Sequence, residues 1–108
     1  MPRDRELLRE ITYILLQLVP PGRVVSYGML ASILGVSPRL IGRFMAENEN
    51  PIIIPCHRVV GSNGELRGYS MGGIRVKRRL LEIEGVGFKG DRVDKQYFMD
   101  LKKMLLDP

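Results

Sequence analysis

Between residues 3 and 18 the apolar positions Leu7, Leu8, Ile11, Ile14, Leu15 and Leu18 recur at helical spacing, with Arg and Glu on the opposite face. The pattern predicts a helix that packs on a core and ends at Pro20-Pro21-Gly22. The next stretch, VVSYGMLASILG, reads as a short extended piece, then a helix capped by Ser26 and stopped by Gly35. In SPRLIGRFMAENEN, Ser37 is placed to cap a second helix and Pro38 to occupy its first turn. Two short helices joined by Gly35-Val36-Ser37 have the spacing of a helix-turn-helix, although a plain packing corner shares that pattern.

Asn48 to Pro51 breaks the helical pattern, and the apolar run PIIIP is too short and too proline-bounded for a central strand. It reads as a buried loop leading to a short strand at Arg58 to Val60. Gly61-Ser62-Asn63-Gly64 is a turn suited to a hairpin or wing, and RGYSMGG is a glycine-rich loop opening a helix from about Ile74 to Glu84. An amphipathic last helix is expected near Lys95 to Leu106. The fold class expected is mainly α with a short β-hairpin, a winged-helix-like helix-turn-helix.

The chain has 108 residues and is 44% hydrophobic, which suits one domain without linker or repeat. A net charge of +5 favours a polyanionic partner such as nucleic acid, although basic domains often have merely solvated faces. The most apolar window, ITYILLQLV, is short and interrupted by Thr12 and Gln17, so neither a signal peptide nor a membrane span is expected. One cysteine cannot close an internal disulfide, and one Cys with one His cannot complete a structural zinc site. Thiol chemistry in a reducing compartment is the special use that remains, and a cytoplasmic location follows from it.

That single cysteine, Cys56, stands beside the single histidine, His57. A cysteine after three isoleucines reads first as an inert buried thiol, and a lone histidine as a satisfied core residue. In an extended segment the two side chains point to opposite faces, so adjacency alone does not provide direct proton transfer between them, and a bridging water is one alternative. A carboxylate that orients and charges the imidazole favours thiolate, and Glu82 and Glu84 are both candidates by spacing.

The segment PIIIPCHRVVGSNGELRGYS resembles the active-site segment of the O6-alkylguanine-DNA alkyltransferases, with PCHRV its most specific part. The resemblance runs from about Val19 to Gly85 and includes VVSYGMLA, RLIG and VKRRLLEIEG. It implies direct reversal of DNA damage by irreversible, stoichiometric transfer of an alkyl group to Cys56, without cofactor or metal. It implies His57 acting through water, Glu84 orienting it, Asn48 as a hinge between recognition helix and active-site loop, and Tyr27 hydrogen-bonding the departing guanine. Arg39 is implied to replace the flipped nucleotide in the base stack, with Ser37, Arg43 and Arg67 also at the DNA. Val59 and Ser70 are implied to read the base through backbone groups, and Met45, Pro51 and Tyr69 to wall the pocket. Arg75 and Lys77 join the arginines as candidate phosphate neighbours.

The partner so implied is duplex DNA containing O6-alkylguanine, bound from the minor groove largely without regard to sequence by a monomer. The chain departs from the family pattern in three places. About twenty residues precede VVSY, which leaves no room for the usual N-terminal domain, so residues 1–108 are expected to be the DNA-binding and catalytic domain alone. Arg43 and Phe44 fall on a helix where the family carries small residues towards the groove, and Met71 interrupts the passage from serine to glycines. Two competing readings are an alkyltransferase-like protein, which recognises the lesion without transfer and lacks the acceptor cysteine, and a sequence-specific regulator that sets the helix from Pro38 in the major groove.

Overall fold

Two perpendicular helices form the centre of the molecule, and everything that carries chemistry is hung from them. The computed structural model describes residues 4–69 and 71–107. Helix α2 (Tyr27–Leu34) opens at Ser26, whose Oγ accepts from the Met29 amide, and closes at Gly35, whose φ of 69° is the left-handed conformation that glycine adopts without strain. Helix α3 (Pro38–Ala46) opens at Ser37, whose Oγ accepts from the Leu40 amide at 3.2 Å. The two axes meet at 109°, within the range of a helix-turn-helix. Leu30, Ala31, Leu34, Ile41, Phe44 and Met45 are buried between them and the first helix.

That first helix, α1 (Arg5–Leu16), is capped by Asp4, which accepts from the Glu6 and Leu7 amides. The expected start at Arg3 lies outside the described residues. Its buried row is Leu8, Thr12 and Leu16, with Ile11 and Leu15 partly covered, whereas Leu7, Ile14 and Leu18 are 46%, 61% and 45% exposed. Half of the apolar arc expected to face the core therefore does not. The arc is wider than α2 and α3 can cover, and polar Thr12 takes a place inside because its hydroxyl donates to the Leu8 carbonyl at 2.7 Å.

Strand β1 (Val25–Ser26) runs parallel to β2 (Val59–Val60), pairing Val25 with Val59 and Ser26 with Val60. The run before β2 differs from the buried loop expected. Residues 51–54 form a turn on which Ile52 and Ile53 are 69% and 73% exposed. The hairpin also lies elsewhere than the turn at Gly61 to Gly64: it is β3 (Phe88–Lys89) against β4 (Arg92–Val93). The earlier turn instead docks on this hairpin, with the Val93 amide donating to the Gly64 carbonyl. A Cβ at Gly64 would stand 2.5 Å from the Val93 carbonyl oxygen, so the approach needs glycine.

Helix α4 (Gly73–Ile83) buries Lys77 and Leu81. The last helix is shorter than expected: Lys95–Tyr97 is a 3-10 turn and α5 spans only Leu101–Leu106. The gap between them is pinned to Val24, whose amide donates to Tyr97 and whose carbonyl accepts from Met99. Among the described residues no single helix is long and apolar enough to cross a membrane.

Candidate active site

Cys56 lies in a single 3-10 turn, Cys56–Arg58, between Pro55 and β2. This corrects the extended conformation expected there. Successive side chains of such a turn diverge by about a third of a circle rather than alternating between faces. Cys56 and His57 are only 4% and 2% exposed, and Arg58 completes the turn by donating from its amide to Pro55.

The turn and the end of α4 meet at one carboxylate. Glu84, at the C-cap of α4, places Oε2 3.0 Å from His57 Nε2, and the same group receives Arg58 Nε at 3.0 Å on Oε1 and Nη2 at 2.6 Å on Oε2. Arg58 Nη1 also donates to the Val19 carbonyl at 2.9 Å. Glu82 is instead engaged with Arg78 and Arg79 on the surface. Burial disfavours the ionised form of Glu84, but the hydrogen bonds and charges of Arg58 and His57 outweigh it and hold the carboxyl below its usual range.

With Nε2–H directed at Glu84, the ring presents an unprotonated Nδ1, which has no hydrogen-bond partner among the described residues. The expected charging of the imidazole does not occur. Burial pushes the His57 pKa down further than Glu84 raises it, so the ring is neutral near pH 7. Burial likewise pushes the Cys56 thiol up, against the opposing influences of Asn48 and Lys77. The resting pair is a thiol and a base.

A cleft of about 790 Å³ reaches Cys56 from the surface. Of the residues singled out from the sequence, Tyr27, Arg39, Met45, Cys56, Arg67 and Tyr69 line it. Gly42 and Ala46, one and two turns beyond Arg39 on α3, line it too, and their lack of bulk keeps its mouth open. Phe44 is fully buried in the core, so of the two departures on this helix only Arg43 is exposed. Met71 is 57% exposed. Tyr69 stands edge-on to His57, ring centroids 6.4 Å apart.

Asn48 is outside the cleft wall but ties its two sides together, donating from Nδ2 to the Ile54 carbonyl at 2.8 Å and accepting from the Asn50 amide at 2.9 Å. Neither Pro51 nor Val59 is part of the wall; Val59 is fully buried in β2. Arg43 and Ser37 are exposed on α3 and its cap, and Ser70 lies outside the described residues.

Two residues acquire importance that the sequence reading did not give them. Arg58, in the PCHRV segment and expected only as part of a strand, is the residue that forks onto Glu84. Lys77, counted among the phosphate neighbours, is 1% exposed and unable to reach DNA. The signal for Lys77 was its place one turn before Leu81, on the inward row of α4.

The fold is thus a helix-turn-helix carrying a cleft that reaches a buried thiol. Residues 8–86 match the family model of the 6-O-methylguanine DNA methyltransferase DNA-binding domain, and the chain belongs to that family. It is 50% identical over 74 residues to a methylated-DNA–protein-cysteine methyltransferase of Pyrobaculum aerophilum, covering 68% of this chain and 49% of that protein. The chain spans about half the length of the curated relatives it matches. A crystal structure of Mycobacterium tuberculosis OGT in complex with DNA superposes with a TM-score of 0.67 at 40% identity, over 71% of this chain and 48% of that one. S. pombe Atl1 in complex with damaged DNA shares the fold, with a TM-score of 0.74 at 22% identity over 87% and 95% of the two chains.

Proposed function

We propose that this chain repairs DNA by direct reversal, moving the alkyl group of O6-alkylguanine in duplex DNA onto Cys56, once per molecule. The observation that carries the reading is the alignment of a buried thiol at the end of a cleft, a neutral imidazole beside it, and a carboxylate that fixes the imidazole's tautomer. A target atom inside a duplex is reached only when its nucleotide swings out of the stack. Arg39, exposed on the first turn of α3 at the mouth of the cleft, fills the place left behind. Small Gly42 and Ala46 let the helix approach the minor groove closely, and Ser37, Arg43, Arg67 and Arg75 meet phosphates.

Within the cleft Cys56 gives its proton to His57 Nδ1 through a water, and the sulfur attacks the alkyl carbon as the bond to O6 breaks. Tyr27 hydrogen-bonds the departing base, Met45 and Tyr69 hold it, and Asn48 keeps the turn in register with α3. The product thioether is a poor leaving group, and with one cysteine in the chain nothing relieves it. The free thiol suits a reducing compartment such as the cytoplasm, and the protein acts as a monomer. Binding and transfer both reside in this unit.

Intact mass after incubation with a methylated-guanine oligonucleotide tests the reading. A gain of one methyl group on Cys56, absent in Cys56→Ser while damaged-DNA binding persists, is the expected result. Tight binding with no gain of mass identifies a recognition module, and sustained turnover with excess substrate excludes the single-use acceptor.

A further inference from the structure

The turn Gly61 to Gly64 is fastened to the β3–β4 hairpin through the main chain: the Val93 amide donates to the Gly64 carbonyl at 2.9 Å, and Glu65 and Arg92 pair as an antiparallel bridge. That junction does not use the Glu65 side chain, which stands at the mouth of the cleft. A Cβ on Gly61, which lines the cleft, would lie 3.4 Å from both Glu65 Cβ and Arg67 Nε.

Three donors surround the Glu65 carboxylate. Asn63 Nδ2 donates to Oε1 at 2.7 Å, Arg92 Nη2 stands 3.6 Å from Oε1, and Arg67 Nη2 stands 3.8 Å from Oε2. Both guanidinium groups are more than half exposed, and ion pairs so open to water add little stability. Their effect is to aim two arginines of different elements, the loop before α4 and strand β4, at one oxyanion. A guanidinium fork matches the oxygens of a phosphate as it does those of a carboxylate. Two cations against one carboxylate leave one positive charge over, and a single phosphate ester in place of the carboxylate meets both arginines.

We infer that Arg67 and Arg92 are the seat of one backbone phosphate of the bound duplex, and that Glu65 holds this seat as a stand-in until DNA displaces it. The inference rests on the duplex-binding half of the reading above and deepens it. Arg67 meets DNA in that reading, whereas Arg92 lies beyond residues 8–86, which match the family model, and brings the β3–β4 hairpin into the interface. Every step of a duplex carries a phosphate, so displacing Glu65 lowers affinity without regard to sequence.

Dissociation constants for a labelled undamaged duplex, measured between about 50 and 200 mM salt, test the seat. Arg92→Gln is expected to bind roughly 10-fold more weakly near the middle of that range, with a log-log salt slope shallower by about 1. Glu65→Gln is expected to bind more tightly than the wild type, with a slope steeper by up to about 1, because both arginines then release counterions to the phosphate. Asp91→Asn removes the same charge from the fully exposed tip of the same hairpin and is expected to change neither quantity.

Weaker or unchanged binding by Glu65→Gln overturns the inference, and this arm stands even if Arg92→Gln fails to fold. So does an unaltered slope in Arg92→Gln. Equal tightening in Asp91→Asn reduces the effect to net charge and overturns the seat as well. None of these constants requires alkyl transfer: a chain that binds duplex in this way but never gains a methyl group loses the transfer reading and keeps the seat, and a chain that binds no duplex loses both.

Discussion

Arg58 holds Glu84 in a two-point fork, Nε on Oε1 at 3.0 Å and Nη2 on Oε2 at 2.6 Å, and so aims the carboxylate at His57. Two adjacent residues of one turn thereby share a single acceptor from another helix. The same contact locks the turn to α4 and orients the imidazole, so a substitution here disturbs both stability and rate.

Glu84→Gln is expected to slow alkylation of Cys56 and to cost about 2 kcal/mol of stability, the partial exposure of the pair reducing the loss below that of a fully buried one. Urea unfolding together with the alkylation rate checks both effects. Because the Glu84 carboxyl is held below its usual range, the stability it contributes is present above the unfolded value of about 4.3 and is lost as pH falls from there through the folded value. A Glu84→Gln variant should therefore show a shallower acid decline than the wild type. Unchanged rate across the pH range would make Glu84 a structural residue only.

Lys77 titrates in the opposite part of the scale. Its folded pKa of about 8 lies below the ordinary 10.5, so the unfolded chain holds the extra proton between those values and stability rises with pH across that window. At neutral pH the buried ammonium costs about 3 kcal/mol relative to its alkaline limit. Measured against Lys77→Met, the wild type should gain that amount between pH 7 and 10.5. A difference that does not vary with pH would place the ammonium in water.

Arg39→Ala should slow repair of alkylguanine in duplex DNA substantially, with unstacking worth a few kcal/mol at stake. Reaction with free O6-benzylguanine, which has no stack to fill, should hardly change. Equal slowing on both substrates would assign Arg39 to the pocket and pass the insertion role to Arg43, one turn further along the exposed side of α3.

Affinity for undamaged duplex should be nearly independent of sequence. With Arg39, Arg43, Arg67 and Arg75 exposed and Lys77 buried, the log-log salt slope is expected to be about −3 to −4. Removing any one of these arginines should reduce it by about 1, whereas Lys77→Met should leave it unchanged. A defined footprint with little response to salt would favour a sequence-specific regulator.

The capped helices were legible because capping is local: Ser26, Gly35, Ser37 and Pro38 each act within a few residues of their own position. Family membership was legible in PCHRV. What escaped the sequence was set by partners far along the chain. The inward row of α1 was decided by α2 and α3, and the break before α5 by Val24. The hairpin was missed because Phe88 to Val93 is too short to display a strand period. Spacing left Glu82 and Glu84 equal, and only the end of α4 distinguishes them. Lys77 was misassigned because a lysine is almost always a surface residue.

Ile52 and Ile53 stand in the open, on a turn bracketed by Pro51 and Pro55. Three successive isoleucines are the kind of segment that stacks with its own copies into intermolecular β-structure. Neither proline has an amide hydrogen to offer such a ladder, and the Ile54 amide is already committed to the Asn50 carbonyl at 2.8 Å. The turn therefore shields against aggregation a tip that its own side chains would otherwise make adhesive. Concentrated solutions of the wild type should remain clear where a Pro51→Ala, Pro55→Ala double variant clouds, and light scattering on storage distinguishes the two.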